Sequence, residues 1–101
     1  MKISEFQRQI ERIYGTKDRA RGEATTFMWL VEEVGELSRA LRRGSAQDRE
    51  EEFADALAWL TTLASMAGVD LEEAARNKYA RGCPRCNATP CRCEEPSSPV
   101  H

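Results

Sequence analysis

Histidine is nearly absent from this chain of 101 residues, since the only one is the last residue, His101. A Ser-His or Cys-His nucleophile pair is therefore not expected inside the folded part, and neither is a helical metal site built on Glu-x-x-His. Proline is absent from residues 1–82, and β-branched or alternating runs are scarce there. These absences favour helices over strands throughout that stretch.

Long hydrophobic runs are also absent, because no uncharged segment approaches the roughly 20 residues that a membrane-spanning helix needs. The N-terminal segment MKISEFQRQIERIY is charged and periodic, unlike the apolar centre of a signal peptide. The formal net charge is only -2, which argues against a surface that binds nucleic acid as a whole. The sequence therefore predicts a cytoplasmic protein with no membrane partner and no general affinity for nucleic acid.

Glycines separate four stretches in which apolar residues recur with a helical period. The first opens with a capping-box spacing from Ser4 to Gln7 and is expected to end at Gly15. The third and fourth begin with the same spacing after Asp48 and Asp70. The pattern predicts an all-α fold, a four-helix bundle, whose helices cover residues 4–14, 23–43, 48–67 and 71–81.

The length of the chain predicts a partner subunit. A domain of this size buries only about 65% of the surface that its unfolded form exposes, so a lone monomer is marginally stable. We therefore expect the bundle to be completed in a homo-oligomer, either a dimer or a tetramer. Phe27, on the apolar stripe of the second predicted helix, is expected to lie in the core.

All four cysteines and all four prolines fall between residues 83 and 99, which predicts a domain boundary near residue 82. We expect a helical domain over 1–82, a Cys-rich extension over 83–93 and a disordered tail over 94–101. Disulfides are not expected in a cytosolic chain, and four thiols match the ligand number of tetrahedral zinc. Structural zinc is the prediction, with reactive or unliganded thiols as the alternative, for Cys83, Cys86, Cys91 and Cys93.

Acidic residues border the packed faces of the second and third predicted helices. Glu33 and Glu36 lie three residues apart on one helix, and Glu52 and Asp55 lie three apart on the next. The link of residues 44–47 is short enough to make these helices antiparallel neighbours, which brings the four carboxylates to about one level. Their repulsion calls for a hard divalent cation, and magnesium fits best. The alternative for any single glutamate is an ordinary solvated surface position.

The segments WLVEEVGELSRAL, over residues 29–41, and EEEFADALAWL, over residues 50–60, resemble the MazG family of nucleoside triphosphate pyrophosphohydrolases. The family pattern E-E-x-x-E is matched by Glu32, Glu33 and Glu36, and E-x-x-D by Glu52 and Asp55. The resemblance covers roughly residues 4–81. It implies an all-α enzyme, completed by other subunits, that hydrolyses an NTP or dNTP to the monophosphate and pyrophosphate. It also implies Mg²⁺ held by Glu33, Glu36, Glu52 and Asp55.

Further site residues follow from this reading. Glu32 or Glu36 is expected to orient or deprotonate the attacking water, and the sequence does not choose between them. Trp29 and Trp59 each lie one turn from an acidic residue and are candidates for stacking on the base, with core or subunit interface as the alternative. Phosphate contacts are expected on one face of the fourth helix, from Asn77, Lys78 and Arg81. The alternative for Lys78 and Arg81 is that they only interact favourably with the dipole at the C-terminus of the helix.

A rival reading of another class remains open. Residues 76–93 hold five basic residues and no acid, so the cysteine cluster and its basic flank could bind a nucleic acid or protein partner. The chain would then be a non-catalytic helical adaptor. The acidic motif makes the Mg²⁺-dependent pyrophosphohydrolase the primary prediction.

Overall fold

A computed structural model describes residues 1–94, and within that range the chain forms four α-helices and no strand. The helices are α1 (Ile3–Arg21), α2 (Glu23–Arg43), α3 (Ala46–Met66) and α4 (Leu71–Tyr79). The predicted all-α class is confirmed. None of these helices is long and apolar enough to cross a membrane.

The first helix runs further than predicted, because Gly15 does not end it. The backbone stays helical through Gly15, which is buried, and α1 closes where the Gly22 amide donates to the Asp18 carbonyl at 3.0 Å. Gly22 has a φ of 90°, in the region that favours glycine, so the chain turns there. A single glycine inside a helix costs only about 1 kcal/mol relative to alanine, and α1 packs along α3.

The start of α1 also differs from the prediction. Lys2 is the N-cap, and its amide donates to the Glu5 carboxylate at 3.3 Å, so the expected Ser4–Gln7 capping box is wrong. Gln7 is instead a buried link between α1 and the segment after α3. Its amide nitrogen donates to the Val69 carbonyl at 2.8 Å, and its oxygen accepts the Leu71 amide at 3.0 Å.

The bounds of α2 match the prediction, and α3 begins two residues earlier than expected. Ser45 caps α3: its hydroxyl accepts the Asp48 amide at 3.1 Å, and the Asp48 carboxylate accepts the Ser45 amide at 3.0 Å. Asp48 thus completes a capping box rather than beginning it. With only Gly44 and Ser45 between them, α2 and α3 form a tight helical hairpin, and α1 packs against both helices.

The chain divides into two compact units, with Met1–Leu71 in the first and Glu72 opening the second. The first unit holds α1, α2 and α3, and the second holds most of α4 and the cysteines. The expected boundary near residue 82 stays a prediction. Most of the expected tail, from residue 95 onward, lies outside the described residues.

The described chain buries few hydrophobic side chains: only Ile10, Ala40 and Ala64 are fully inside. Phe27 is 56% exposed, so its expected place in the core of a single chain is wrong. Val31 and Val34 on α2 are likewise more than half exposed. The helical period correctly identifies an apolar stripe, but α1 and α3 do not cover it.

Candidate functional site

The α2–α3 hairpin brings three acidic side chains together. Glu33 on α2 and Glu52 and Asp55 on α3 each offer a carboxylate oxygen, and these oxygens lie within 4.8 Å of one another. Glu33 and Glu52 are half-buried, and Asp55 is exposed. Three of the four predicted magnesium ligands therefore meet at one place, which we call the acidic cluster.

Two oxygens of the acidic cluster are buried without a hydrogen-bond partner in the part of the chain described, namely Oε2 of Glu33 and Oε2 of Glu52. A buried acceptor left without a donor costs about 1–3 kcal/mol, and more when it is charged. A hard cation with a preference for oxygen ligands would remove this cost. The donor set of the acidic cluster thus fits Mg²⁺.

The protonation of Glu33 reflects the same crowding. The pKa of Glu33 is raised to about 7, from an ordinary value of 4.5, and burial is the largest cause. The hydrogen bond between the Glu33 and Glu52 side chains and the negative charges of Glu52, Asp55 and Glu36 account for the rest of this rise. At neutral pH the cluster without a cation is therefore only partly ionised.

Glu36 and Glu32 do not join the acidic cluster. The exposed Glu36 carboxylate pairs with Arg39 at 3.4 Å, although its charge still acts on Glu33. Glu36 and Glu52 line one cavity of about 260 Å³, to which Arg39 and Arg43 also contribute. Glu32 is exposed on α2.

Arg39 and Arg43 are cations beside the acidic cluster that were not among the predicted site residues. Their signal was present, because Arg39 follows Glu36 by three residues and Arg43 follows Arg39 by four. That spacing continues the acidic edge of α2 toward its C-terminus. Both side chains can therefore meet an anion that approaches the cluster along this cavity.

Trp29 and Trp59 stack on each other, with ring centroids 6.3 Å apart and planes inclined by 14°. The α2–α3 hairpin thus joins the two tryptophans one turn away from Glu33 and Asp55. Trp59 is half-buried, and the Arg21 guanidinium lies over its ring at 4.7 Å from the centroid. Trp29 remains 46% exposed.

A second cavity, of about 280 Å³, adjoins the acidic cluster through Asp55 and has Trp59 and Arg21 in its lining. The α1 residue Asp18 also lines it and forms an ion pair with Arg21. Sequence reasoning missed Asp18, although it continues the i, i+4 row from Ile10 and Tyr14 that α1 turns toward the cavity. Because the helix was expected to end at Gly15, Asp18 was not placed on this helical row.

The predicted phosphate contacts lie in the second unit. Asn77 and Lys78 are on α4, whereas Arg81 follows its end at Tyr79, so the three do not share one helical face as expected. The Lys78 ammonium lies 5.5 Å from the Tyr79 ring centroid. Their contact with phosphate stays a prediction.

The four cysteines form a compact cluster in the second unit. Their sulfur atoms lie within 4.8 Å of one another, with Cys83 and Cys93 3.8 Å apart, and all four are free thiols. Asn87, at a φ of 57°, turns the chain back so that the Cys83 amide donates to the Ala88 carbonyl at 3.0 Å. This arrangement can hold a metal ion geometrically.

Backbone amides favour a thiolate at one side of the cluster. Hydrogen bonds from the amides of Cys86 and Arg85 lower the pKa of Cys83 to about 6. The Arg92 amide donates to the Cys86 sulfur at 3.3 Å and lowers the pKa of Cys86. Hydrogen bonds among the thiols raise the pKa of Cys93 to about 12, because the site cannot hold several thiolates without a cation.

Comparison with protein families identifies one family that this chain resembles. A family model described as the MazG nucleotide pyrophosphohydrolase domain matches residues 21–87. The matched range includes the acidic cluster, both tryptophans and α4. No curated protein matches the chain significantly.

Proposed function

The chain belongs to the MazG nucleotide pyrophosphohydrolase family, and from that premise we propose that it hydrolyses an NTP or dNTP to the monophosphate and pyrophosphate. The observation that carries the proposal is the acidic cluster, in which Glu33 and Glu52 each keep one buried oxygen, Oε2, without a donor among the described residues, beside the stacked tryptophans. If these acidic residues were ordinary helix-surface residues, their carboxylate oxygens would be exposed to water.

Glu33, Glu52 and Asp55 would hold Mg²⁺, and Glu36, one turn after Glu33, is the fourth proposed ligand. When bound, Mg²⁺ neutralises charge on the triphosphate and makes water more acidic. The same side chains would hold this cation beside the cavity that Glu36 and Arg39 line, and it would attract phosphates there.

A carboxylate outside the three-membered cluster is proposed to orient the attacking water and accept its proton. Glu36 suits this role better than Glu32, because it lines the cavity beside Glu52. Its exposed pair with Arg39 is weak, since such pairs contribute about 0–1 kcal/mol, and it can open when substrate arrives. Glu32 is the alternative base.

Cations and flat rings complete the proposed substrate site. Arg39 and Arg43 would contact phosphate oxygens, and guanidinium groups suit them because two N–H groups can pair with one phosphate. Phosphate contact by Asn77, Lys78 and Arg81 stays a separate proposal about the second unit. The exposed part of Trp29 and the cavity wall formed by Trp59 would contact the base.

A pyrophosphate-release screen tests the proposed function. We expect at least one NTP or dNTP, canonical or modified, to release pyrophosphate with Mg²⁺ and not with EDTA. Release from no nucleotide, together with binding of a nucleic acid or protein that requires the cysteines, would favour the adaptor reading instead. Orthophosphate as the only inorganic product would contradict attack at the α-phosphorus.

We propose that a second copy of the chain covers the apolar stripe of α2. Monomers seldom expose so large a share of their big hydrophobic side chains. A Phe27→Asp, Val31→Asp double variant should shift the protein from dimer or tetramer to monomer in light scattering, because two buried carboxylates would oppose association. Thr25→Asp, at an exposed polar position of the same helix, should not. A native protein that is monomeric at micromolar concentration would contradict the proposal.

We propose zinc as the metal of the cysteine cluster, because zinc is commonly bound by four thiolates in a tetrahedron and the four sulfur atoms lie within 4.8 Å of one another. Purified protein should carry about one zinc per chain by elemental analysis, and Cys83→Ser with Cys86→Ser should remove it. Thr89→Ser, within the same segment, should retain the ion. Pyrophosphate release should largely survive in the cysteine variant, because the acidic cluster lies in the other unit; full loss of activity would tie the zinc to catalysis.

A further inference from the structure

The cavity between α1 and α3 is lined by several polar side chains that the hydrolytic chemistry does not use, among them Asp18, Lys17 and Arg21. Its lining runs from Asp55 of the acidic cluster, past Trp59, to the α1 residue Asp18. Because it adjoins the cluster, a nucleotide whose phosphates lie there can place its base in this cavity. The inference therefore rests on the proposed function.

Asp18 is fixed in place by its neighbours. It is only 5% exposed, forms an ion pair with Arg21 and accepts the Thr62 hydroxyl at 3.3 Å. Arg21 is itself held, because its Nε donates to the Thr26 hydroxyl at 3.0 Å and its guanidinium covers Trp59. Thr26, fully buried, donates to the Gly22 carbonyl at 2.7 Å.

The Asp18 carboxylate keeps unused acceptor capacity. A carboxylate offers about four acceptor sites on its two oxygens. Arg21 contacts one oxygen and Thr62 the other, which leaves one site on each. A ligand group that meets both remaining sites must present two adjacent donors.

We propose that the cavity selects guanine nucleotides, with the Asp18 carboxylate accepting the ring N1–H and the 2-amino group. Guanine alone among the common bases presents these two donors side by side. Adenine and cytosine place an acceptor nitrogen beside their amino group, and uracil and thymine place carbonyls on both sides of their N–H. Each of those bases therefore turns an acceptor toward the buried carboxylate. Lys17 lines the same cavity and supplies a donor for the guanine carbonyl.

A substrate series on the unaltered protein tests this selection without any mutation. The kcat/KM for dGTP should exceed that for dITP, which lacks only the 2-amino group, by about 10-fold to 100-fold. The triphosphate of 2-aminopurine deoxyriboside, which lacks the N1–H, should be poor as well, and dATP poorer still. Equal kcat/KM values for dGTP and dITP would overturn the inference while leaving the hydrolase intact. Pyrophosphate release from none of these nucleotides would overturn the proposed function itself.

An Asp18→Asn variant tests the residue. The amide keeps the size of the side chain but replaces one acceptor with a donor, so the ratio of kcat/KM for dGTP over dITP should fall to about one. Glu11→Gln is the matched control, since Glu11 is an exposed acid on the same helix that does not line this cavity. It should keep the native ratio. A folded Asp18→Asn protein that retains the guanine preference would assign the selection to other residues.

Discussion

Replacing Glu33 with glutamine should reduce Mg²⁺-dependent pyrophosphate release by on the order of 10³-fold, because a central ligand of the proposed cation site is lost and transition-state charge stabilisation worth several kcal/mol goes with it. The helical content should not change, since a glutamine side chain has the same size as the glutamate it replaces and is a good helix former in α2. Pyrophosphate release and circular dichroism on the same preparation check both expectations.

Glu50→Gln is the matched control, because Glu50 is an exposed acid on α3 that lies outside the acidic cluster. It removes the same charge from the same hairpin and should leave the rate within about twofold of native, as solvated surface charges act weakly on a site. Native turnover in Glu33→Gln would reject the acidic cluster as the catalytic centre.

The pH dependence of stability should reverse on adding magnesium. The pKa of Glu33 in the folded chain, about 7, lies above its ordinary 4.5, so the metal-free folded state binds the extra proton. The protonated Glu33 stabilises the metal-free folded state. This stabilisation is fully present below about pH 4.5 and is lost as the pH rises through 7. With Mg²⁺ bound, the cluster must be ionised, and so the affinity for Mg²⁺ should rise through the same range.

Thermal unfolding at pH 6 and pH 8, with EDTA or with Mg²⁺, measures this effect. The gain in Tm from Mg²⁺ should be larger at pH 8 by about 5 °C, a value that allows for the partial exposure of Glu33. Glu33→Gln should remove most of the difference and stabilise the metal-free protein at pH 8. If Mg²⁺ raised Tm by the same amount at both pH values, this would contradict the proton that Glu33 binds in the metal-free cluster.

The acidic cluster was predictable because its information is local. Three-residue spacings on two helices joined by a tight link determine which carboxylates share a level, and Glu33, Glu52 and Asp55 meet as expected. The orientation of Glu36 was not predictable, because Arg39, three residues away, competes for its carboxylate. Spacing identifies the edge of a helix but does not decide which partner a flexible side chain takes.

Features that depend on packing between distant segments could not be predicted from the sequence. Gly15 carries a local signal for a helix end, but the backbone stays helical through it and α1 continues to pack along α3. Asp18 gives no local sign that Thr62, 44 residues later, donates to it. The apolar stripe of α2 was evident, yet periodicity cannot tell whether the same chain or a second one covers it.

The acidic cluster draws its side chains from α2 and α3, whereas α1 lines the neighbouring cavity with Asp18 and Arg21. Substitutions in α1 can thus reshape what enters that cavity without disturbing the carboxylates. Under the proposed function, α2 and α3 would supply the hydrolytic chemistry and α1 would add Asp18 to ligand choice, so substitutions in α1 could change the preferred base while pyrophosphate release is retained.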